Sequence, residues 1–249
     1  GPAPFIIAPL TQMPAIADTL IIDGTTQAGF SGVPLIEIDG VNVIGNVAGL
    51  TISGSNSTVK GLCIIRFANS QFSQGISISP LANGNKVSGN YIGLTPTGAA
   101  AGNGIGIAAS SHDNVIGGPN PSDRNIISGN LSSGVSLVGV NRNNTIQGNF
   151  IGTDPSGTAA VGNKSGIIVG SSGNTIESNV ISGNLSDGIF FGGDSNNVAD
   201  GNVIGLNTSG TLYIAKNAVI FDPVTVPLFS APIADVPIDD GGAFTLGFT

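Results

Sequence analysis

The hexapeptide Ile-Ser-Gly-Asn-Leu-Ser fills residues 127–132 and occurs again at residues 181–186. A second phrase, Gly-Asn-x-Ile-Gly, starts at Gly89, at Gly148 and at Gly201. Internal repetition of this kind is typical of solenoid proteins, in which each repeat packs against its two neighbours. We therefore expect equivalent residues of successive repeats to lie above one another in columns.

Three short apolar runs surround these phrases and recur in a fixed order five times. The first run follows a glycine, at Gly75, Gly104, Gly134, Gly166 and Gly188. The second run follows an asparagine, at Asn85, Asn114, Asn144, Asn174 and Asn196. The third run also follows an asparagine, at Asn90, Asn125, Asn149, Asn179 and Asn202. Within each run apolar residues tend to alternate with small or polar ones, which is the period of a half-buried strand.

These observations predict an all-β fold, a single-stranded parallel β-helix (solenoid). Each coil should hold three short strands in about 22 residues plus insertions, because the shortest step between equivalent glycines is 22 residues. Glycine and asparagine tolerate the left-handed backbone of a sharp corner. Asparagines repeated at one corner can stack as a hydrogen-bonded ladder. An isoleucine column should fill the interior, formed by Ile92, Ile127, Ile151, Ile181 and Ile204.

Composition excludes several classes of protein. The 249 residues include 15 acids and 7 bases, for a net charge of −8, so no basic face is expected and a nucleic-acid partner is not predicted. No apolar stretch approaches the length of a membrane span. Cys63 is the only cysteine, which rules out an internal disulfide, and its run Leu-Cys-Ile-Ile predicts a buried packing residue.

We divide the chain into three regions. Residues 1–18 are apolar and contain prolines, and we interpret them as an N-terminal capping segment. Residues 19–221 form the parallel β-helix, in which Val219-Ile-Phe suits one more strand of the first type. Residues 222–249 are Pro-rich and are predicted to be a C-terminal cap or a linker. Caps are expected because an open solenoid end exposes strand edges and core.

The quoted phrases belong to longer stretches that resemble a known family. IIDGTTQAGFSGVPLIEIDG (21–40), GNYIGLTPTGAAAGN (89–103) and GNFIGTDPSGTAAVGN (148–163) are similar to the right-handed parallel β-helix repeat proteins of bacteria, which share the pectate-lyase-like architecture. The resemblance covers roughly residues 16–217 and implies a right-handed coil. It also implies an extracellular or cell-surface location, since these proteins are often segments of secreted or surface proteins and no signal peptide is recognised. Its shared positions are corner and core residues, so it does not select an activity.

Insertions mark the surface where we expect binding. Long loops follow the third run at 93–103, 152–165 and 205–217, and short ones alternate with them, so notches about 10 Å apart are predicted from the strand spacing. A further insertion occupies 116–124. Small polar groups in the long loops would suit a polysaccharide or cell-surface glycan. The predicted ligand-binding residues are Tyr91, Thr95, Thr97, Asp154, Ser156, Thr158, Lys164 and Asn207. That the long loops are only length variants packed on one another remains open.

Candidates for catalysis are few. One candidate is the pair His112 and Arg142, which stand two residues before Asn114 and Asn144 and should therefore lie above one another in one column. Asp194 is expected in the same column, and Asp113 is expected diagonally opposite Arg142. The other candidate is the pair Asp123 and Arg124, which are adjacent in the 116–124 insertion. A surface hydrogen bond, a salt bridge or a turn accounts for each of these. A hydrolase needs paired carboxyl groups, and a lyase needs a cation together with a base. Over 75–205 the predicted strands offer only Glu177, so no catalytic residue, metal or cofactor is predicted, and the several acids that calcium sites of this superfamily use are missing.

Three functions therefore stay open. The favoured one is a non-catalytic extracellular β-helix module that serves as a stalk, adhesin or glycan-binding surface of a larger protein. The alternative is a polysaccharide lyase or glycoside hydrolase acting on an acidic polysaccharide. The third is an ice-binding type of surface, which the low charge favours, although no column of regularly spaced threonines is evident.

Overall fold

A computed structural model describes residues 4–139, 142–192 and 196–205, together with the backbone of 211–212, 219–221 and 244–245. These residues confirm the predicted fold class. The chain is an all-β parallel solenoid of about six turns, with three strands per coil and three parallel sheets. Only three single-turn 3-10 helices occur in the described part, at Gly24–Thr26, Gly40–Asn42 and Pro121–Asp123.

Each sheet collects the strands of one run, numbered here in chain order. Sheet 1 contains β4 (Ala48–Ile52), β7 (Gln74–Ile78), β10 (Ile105–Ala109), β13 (Ser133–Val138), β16 (Ser165–Gly170) and β19 (Ile189–Phe191). Sheet 2 contains β2 (Ile21–Asp23), β5 (Thr58–Lys60), β8 (Lys86–Ser88), β11 (Val115–Gly117), β14 (Thr145–Gln147), β17 (Thr175–Glu177), β20 (Val198–Asp200) and β23 (Val219–Phe221). Sheet 3 contains β1 (Phe5–Ile7), β3 (Ile36–Asp39), β6 (Leu62–Ile65), β9 (Tyr91–Ile92), β12 (Ile126–Ile127), β15 (Phe150–Ile151), β18 (Val180–Ile181) and β21 (Val203–Ile204). An antiparallel pair joins β22 (Thr211–Leu212) to β24 (Phe244–Thr245).

The interior is the predicted aliphatic stack. Ile127 pairs with Ile92 on one side and with Ile151 on the other, and the column continues through Ile181 to Ile204. The first four of these side chains are 0 % exposed, and Ile204 packs partly buried against the same core. Burying each one stabilises the fold by about 1.5–3 kcal/mol, which sets the register of the coils.

Asparagine ladders run along the corners, as predicted. In the ladder beside sheet 2, the Asn144 Oδ1 atom accepts hydrogen bonds from the backbone and the side chain of Asn114, both at 2.9 Å. The Asn144 side chain donates in turn to Asn174 at 3.1 Å. The last member of this ladder is Asn197 and not Asn196, so the predicted register is wrong by one residue there. Asn196 is instead exposed and has a positive φ of 62°.

A third ladder was missed by the sequence analysis. It lies at the corner that leads from sheet 3 into sheet 1, and it consists of Asn103, Asn130, Asn163 and Asn184. All four side chains are buried and bond from coil to coil as in the other two ladders. The asparagines are therefore structural groups whose hydrogen-bonding capacity is used within the solenoid.

The structure describes nearly all of the N-terminal segment but only short backbone pieces after residue 205. Phe5–Ile7 forms β1, which pairs in parallel with β3 and carries exposed side chains. Val219–Phe221 pairs with β20, so it belongs to sheet 2, and its prediction as a strand of the first type is wrong. That 1–18 and 222–249 act as caps stays a prediction; all of 222–249 except the backbone of 244–245 lies outside the described residues. In the described part, no helix is long and apolar enough to cross a membrane.

Candidate functional site

The outer face of sheet 3 is apolar and is covered by the long loops. A second hydrophobic cluster forms there from Cys63, Ile65, Tyr91, Leu94 and Ile126, with Ala101, Phe150 and Val161 packed against it. Leu94 and Ala101 come from the first long loop (93–103), and Val161 comes from the second (152–164). The Arg66 N–H donates to the Ala101 carbonyl at 3.1 Å, and the Gly129 N–H donates to that of Val161 at 2.8 Å. Each long loop thus folds back over the sheet from which it departs.

The predicted notches are therefore not found between these two loops. A Cβ atom on Gly183, in a short loop, would lie 2.7 Å from the Ala160 methyl of the second long loop, so the two backbones are in close contact there. A Cβ atom on Gly98 would likewise lie 3.1 Å from the Pro155 ring, which brings the tips of the two long loops together. The first and second long loops cover the short-loop coil between them, since burying the outer face of sheet 3 is favourable.

Five of the predicted ligand-binding residues form hydrogen bonds within their own loops. Asp154 Oδ1 accepts the backbone N–H groups of Thr158 and Ala159, both at 3.0 Å, while its Oδ2 accepts the Ser156 hydroxyl at 2.6 Å. These bonds stabilise the carboxylate and lower the pKa of Asp154 to about 2, the Ser156 bond contributing most. In the first long loop, the hydroxyls of Thr95 and Thr97 lie 2.9 Å apart.

The other predicted ligand-binding residues are not brought together. Tyr91 is only 8 % exposed in the cluster on sheet 3, and burial raises its pKa, so its ring does not present an open stacking face. Lys164 is exposed at the end of the second loop, directly before strand β16. Asn207 lies outside the described residues, as does most of the loop 205–217. A binding role for this set stays a prediction.

The coils that carry His112 and Arg142 are joined by backbone hydrogen bonds and not by these two side chains. The Asp113 N–H donates to the Arg142 carbonyl at 3.2 Å, and the His112 N–H donates to Asn83 Oδ1 at 3.0 Å. Among the described residues no side-chain hydrogen bond or ion pair joins His112 to Arg142. Asp194 lies outside the described residues. The two residues do not form a catalytic pair in this geometry.

Asp123 and Arg124 are adjacent in sequence but take different partners. Asp123 accepts a hydrogen bond from the Lys86 ammonium at 2.8 Å and another from the Asn120 side chain at 3.1 Å. Burial alone would raise the pKa of Asp123, but these two bonds outweigh it and the pKa lies below its ordinary value. The Arg124 Nε–H donates to the Gly148 carbonyl at 3.1 Å, and its guanidinium carbon lies 4.0 Å from the centre of the Phe150 ring.

A cleft opens beside Arg124, where the insertion 116–124 leans over the next two coils. Its volume is about 250 Å³. The lining residues are Gly118, Pro119, Asn120, Pro121, Arg124, Gln147, Gly148 and Ser178. The Gln147 amide and the Ser178 hydroxyl have no hydrogen-bond partner within the described residues, so both are available to a ligand. We define this cleft, the 118–124 cleft, as the candidate functional site.

A second acid, not predicted from the sequence, lies on the outer face of sheet 2 beside Glu177. Asp200 ends strand β20 and pairs in register with Glu177, so Glu177 is not the only strand acid. Both side chains are half-buried on the outer face of sheet 2, where Gln147 precedes them in the same column. The described residues contain no group of three or more His, Cys, Asp or Glu side chains arranged to hold a metal ion.

Comparisons with known proteins give a distant structural similarity and no match in sequence. No protein-family model matches the sequence, and neither does any curated protein sequence. Among solved structures, the chain is similar to the crystal structure of the Dettilon tailspike protein, with 20 % sequence identity and a TM-score of 0.47. The similarity covers 88 % of this chain, which spans 40 % of that tailspike chain. A likeness at this level carries no argument about function, and the function must be argued from the residues of this chain.

Proposed function

We propose that this chain is a non-catalytic β-helix module of an extracellular or cell-surface protein and that it binds a glycan in the 118–124 cleft without a cofactor. The observation that supports this most is the contrast between the cleft and the rest of the solenoid. The ladder asparagines and the Asp154 carboxylate form their hydrogen bonds within the protein, whereas Arg124, Gln147 and Ser178 line one concave site and their outward polar groups have no protein partner among the described residues. A hydroxyl-rich ligand offers donors and acceptors that match these groups.

The lining residues favour binding over hydrolysis. A glycoside hydrolase places two carboxyl groups on opposite sides of the bond to be cleaved. None of the lining residues carries a carboxyl group, and Asp123, the nearest acid in the insertion, is committed to Lys86 at 2.8 Å. Glu177 and Asp200 lie side by side on adjacent strands, and neither is among the residues that line the cleft.

One observation favours the lyase alternative. Arg124 supplies the cation that a polysaccharide lyase uses to neutralise a uronate carboxylate. The same reaction requires a base to take up the proton, and the lining residues include no lysine, histidine or acid for this role. An ice-binding surface has less support, because no column of the described strands carries threonine in every coil. Thr145 and Thr175 are neighbours in one column of sheet 2, but Val115 and Val198 occupy the positions on either side of them.

A glycan array combined with a turnover assay tests the proposal. We expect the intact chain to bind at least one glycan class. Replacing Gln147 by Ala and Ser178 by Gly should weaken the signal several-fold, since each lost hydrogen bond contributes about 0.5–1.5 kcal/mol. Glycine suits position 178 because Ser178 has a positive φ of 55°. Gln71→Ala is the matched control: Gln71 is exposed and does not line the cleft, so this variant should bind like the wild type.

Turnover is measured on the same sample. Common polyuronates and neutral polysaccharides should yield neither unsaturated uronates nor new reducing ends. Release of either product, abolished when Asp123 and Arg124 are replaced, would establish the enzyme alternative. Equal array signals from the wild type and the cleft variant would show that the glycan binds elsewhere.

A further inference from the structure

We infer that the 118–124 cleft recognises a carboxylate carried on a sugar ring, and that Arg124 is the residue that selects it. The inference rests on the proposed glycan-binding function and adds the charge class of the ligand. Its basis is the way in which the structure holds this one guanidinium.

The Arg124 side chain is fixed before any ligand arrives. Its Nε–H donates to the Gly148 carbonyl at 3.1 Å, and its guanidinium carbon lies over the Phe150 ring, 4.0 Å from the ring centre. The second long loop supports the ring from another direction, since a Cβ atom on Gly157 would lie 2.7 Å from a Phe150 ring carbon. A guanidinium already ordered in this way loses little side-chain entropy on binding.

The binding edge of this guanidinium is unoccupied by protein groups. The guanidinium of Arg66 is occupied, because two of its nitrogens donate to Asp39. Lys60 and Lys86 also have acidic partners. Arg124 forms no ion pair within the described residues, because the neighbouring Asp123 is bound by Lys86 and Asn120. The exposed Arg142 and Lys164 form none either, but Arg124 is half-buried and lines a cleft. With Nε engaged, the two terminal nitrogens remain, and their spacing matches the two oxygens of a carboxylate.

The remaining lining suits the rest of a sugar residue. The volume of about 250 Å³ is just below the ~300–1,000 Å³ of pockets for drug-sized ligands, so one ring-sized group fits. Pro119 and Pro121 offer apolar surface for the C–H face of the ring, and Gln147 and Ser178 offer hydrogen bonds for its hydroxyls. No lining residue is acidic, although Glu177 stands next to Gln147 in its column and should oppose an anion through space.

Titration of the intact chain with D-glucuronate, followed by NMR chemical shifts, tests the inference. D-glucose is the neutral counterpart, and inorganic sulfate probes a site for any small oxyanion. We expect glucuronate to bind in preference to glucose and sulfate. Arg124→Gln should weaken glucuronate binding about tenfold or more, as for loss of a charge-assisted bidentate contact. Arg124→Lys should retain part of the affinity, because it keeps the charge and loses the fork.

Two further variants control for charge and folding. Arg142→Gln removes the same charge from an exposed site outside the cleft and should change binding less than about twofold. Glu177→Gln should strengthen glucuronate binding, and this gain should shrink as salt is raised, which a merely destabilised site would not show. Each variant is compared after its β-sheet circular dichroism spectrum has been matched to that of the wild type.

The outcomes separate this inference from the proposed function. Equal binding of glucuronate and glucose, equal effects of the Arg124 and Arg142 substitutions, or sulfate binding as tightly as glucuronate would each overturn the inference. A glycan-array signal confined to neutral sugars would also overturn it while leaving the proposed function in place. Glucuronate binding that depends on Arg124, together with an array on which no glycan is bound, would support the inference and refute the glycan-binding function.

Discussion

The asparagine ladders make a quantitative prediction that two adjacent residues test. Asn144 is a fully buried ladder member, whereas Asn143 is exposed with a positive φ of 56°. The same substitution, asparagine to glycine, can be made at both. Glycine readily adopts a positive φ, so Asn143→Gly should change the free energy of unfolding by less than about 1 kcal/mol.

Asn144→Gly removes partners that the interior cannot replace. The Asn114 N–H loses its acceptor, Asn144 Oδ1 at 2.9 Å, and the Ser111 carbonyl loses the Asn144 Nδ2 donor at 2.9 Å. A buried polar group left without a partner costs about 1–3 kcal/mol, so the two together predict a loss of about 2–6 kcal/mol. The Asn114 and Asn174 side chains lose one bond each but keep others, to the hydroxyls of Ser111 and Ser171 respectively. A loss of this size is a large fraction of the ~5–15 kcal/mol that stabilises a typical domain.

Urea unfolding followed by circular dichroism, together with amide hydrogen exchange, measures the effect. Because coils of a solenoid contact only their neighbours, protection should fall first in β11 and β17, which flank the altered coil, and persist in distant coils. Equal stabilities of the two glycine variants would refute the reasoning. Unchanged exchange at the Asn114 amide would refute it as well, since that N–H is expected to lose its only protein acceptor.

Three further predictions follow from the core and from the cover of sheet 3. Ile151→Asp places a charge in the fully buried column and should destabilise the chain by more than about 4 kcal/mol in urea unfolding, whereas a smaller loss would mean that the carboxylate reaches water. Replacing 153–162 by the short connection Ser-Gly-Asn-Leu-Ser-Ser removes Val161 and uncovers the apolar cluster on sheet 3, so the melting temperature should fall markedly. If glycan binding is lost and the melting temperature is unchanged, the loop is instead a binding site. Burial, followed by the charge of Asp39, raises the pKa of Glu37 above its ordinary 4.5. The native state therefore holds the Glu37 carboxyl proton more tightly than the unfolded state does. The free energy of unfolding should consequently fall as pH rises above 4.5. Glu37→Gln should therefore be more stable than the wild type at pH 7 and flatter in its pH dependence, and a variant less stable at pH 7 would contradict this sign.

The two predicted ladders could be found from sequence because each asparagine directly precedes a short strand within a fixed local phrase. The third ladder precedes the strands of sheet 1 at the end of loops whose lengths differ, and its members stand two to five residues before the strand rather than directly before it. Its signal was nevertheless present, as the Gly-Asn pairs at 102–103, 129–130, 162–163 and 183–184. The error at Asn196 arose because two asparagines are adjacent, and only the pairing of Val198 with Thr175 fixes which of them enters the ladder.

The candidate site depends on contacts that no repeat contains. Arg124 meets Phe150 one coil away, and Lys86 meets Asp123 across the insertion, so neither contact follows from the column rule that places equivalent residues above one another. Sequence reasoning named Asp123 and Arg124 as neighbours in a turn. It could not assign them opposite partners, which is the arrangement that leaves the guanidinium unpaired.

The role of the long loops was already implied by the strands of sheet 3. In β9, β12 and β15 both residues are apolar, so one side chain fills the interior and the other, at Tyr91, Ile126 or Phe150, must face outwards. An apolar outer face requires a cover, and the loops 93–103 and 152–164 supply it through Leu94, Ala101 and Val161. Loops used in this way are less available for ligands than their length suggests. The 116–124 insertion covers no such cluster in the described structure and lines a cleft with unused polar groups, and this is why we place binding there.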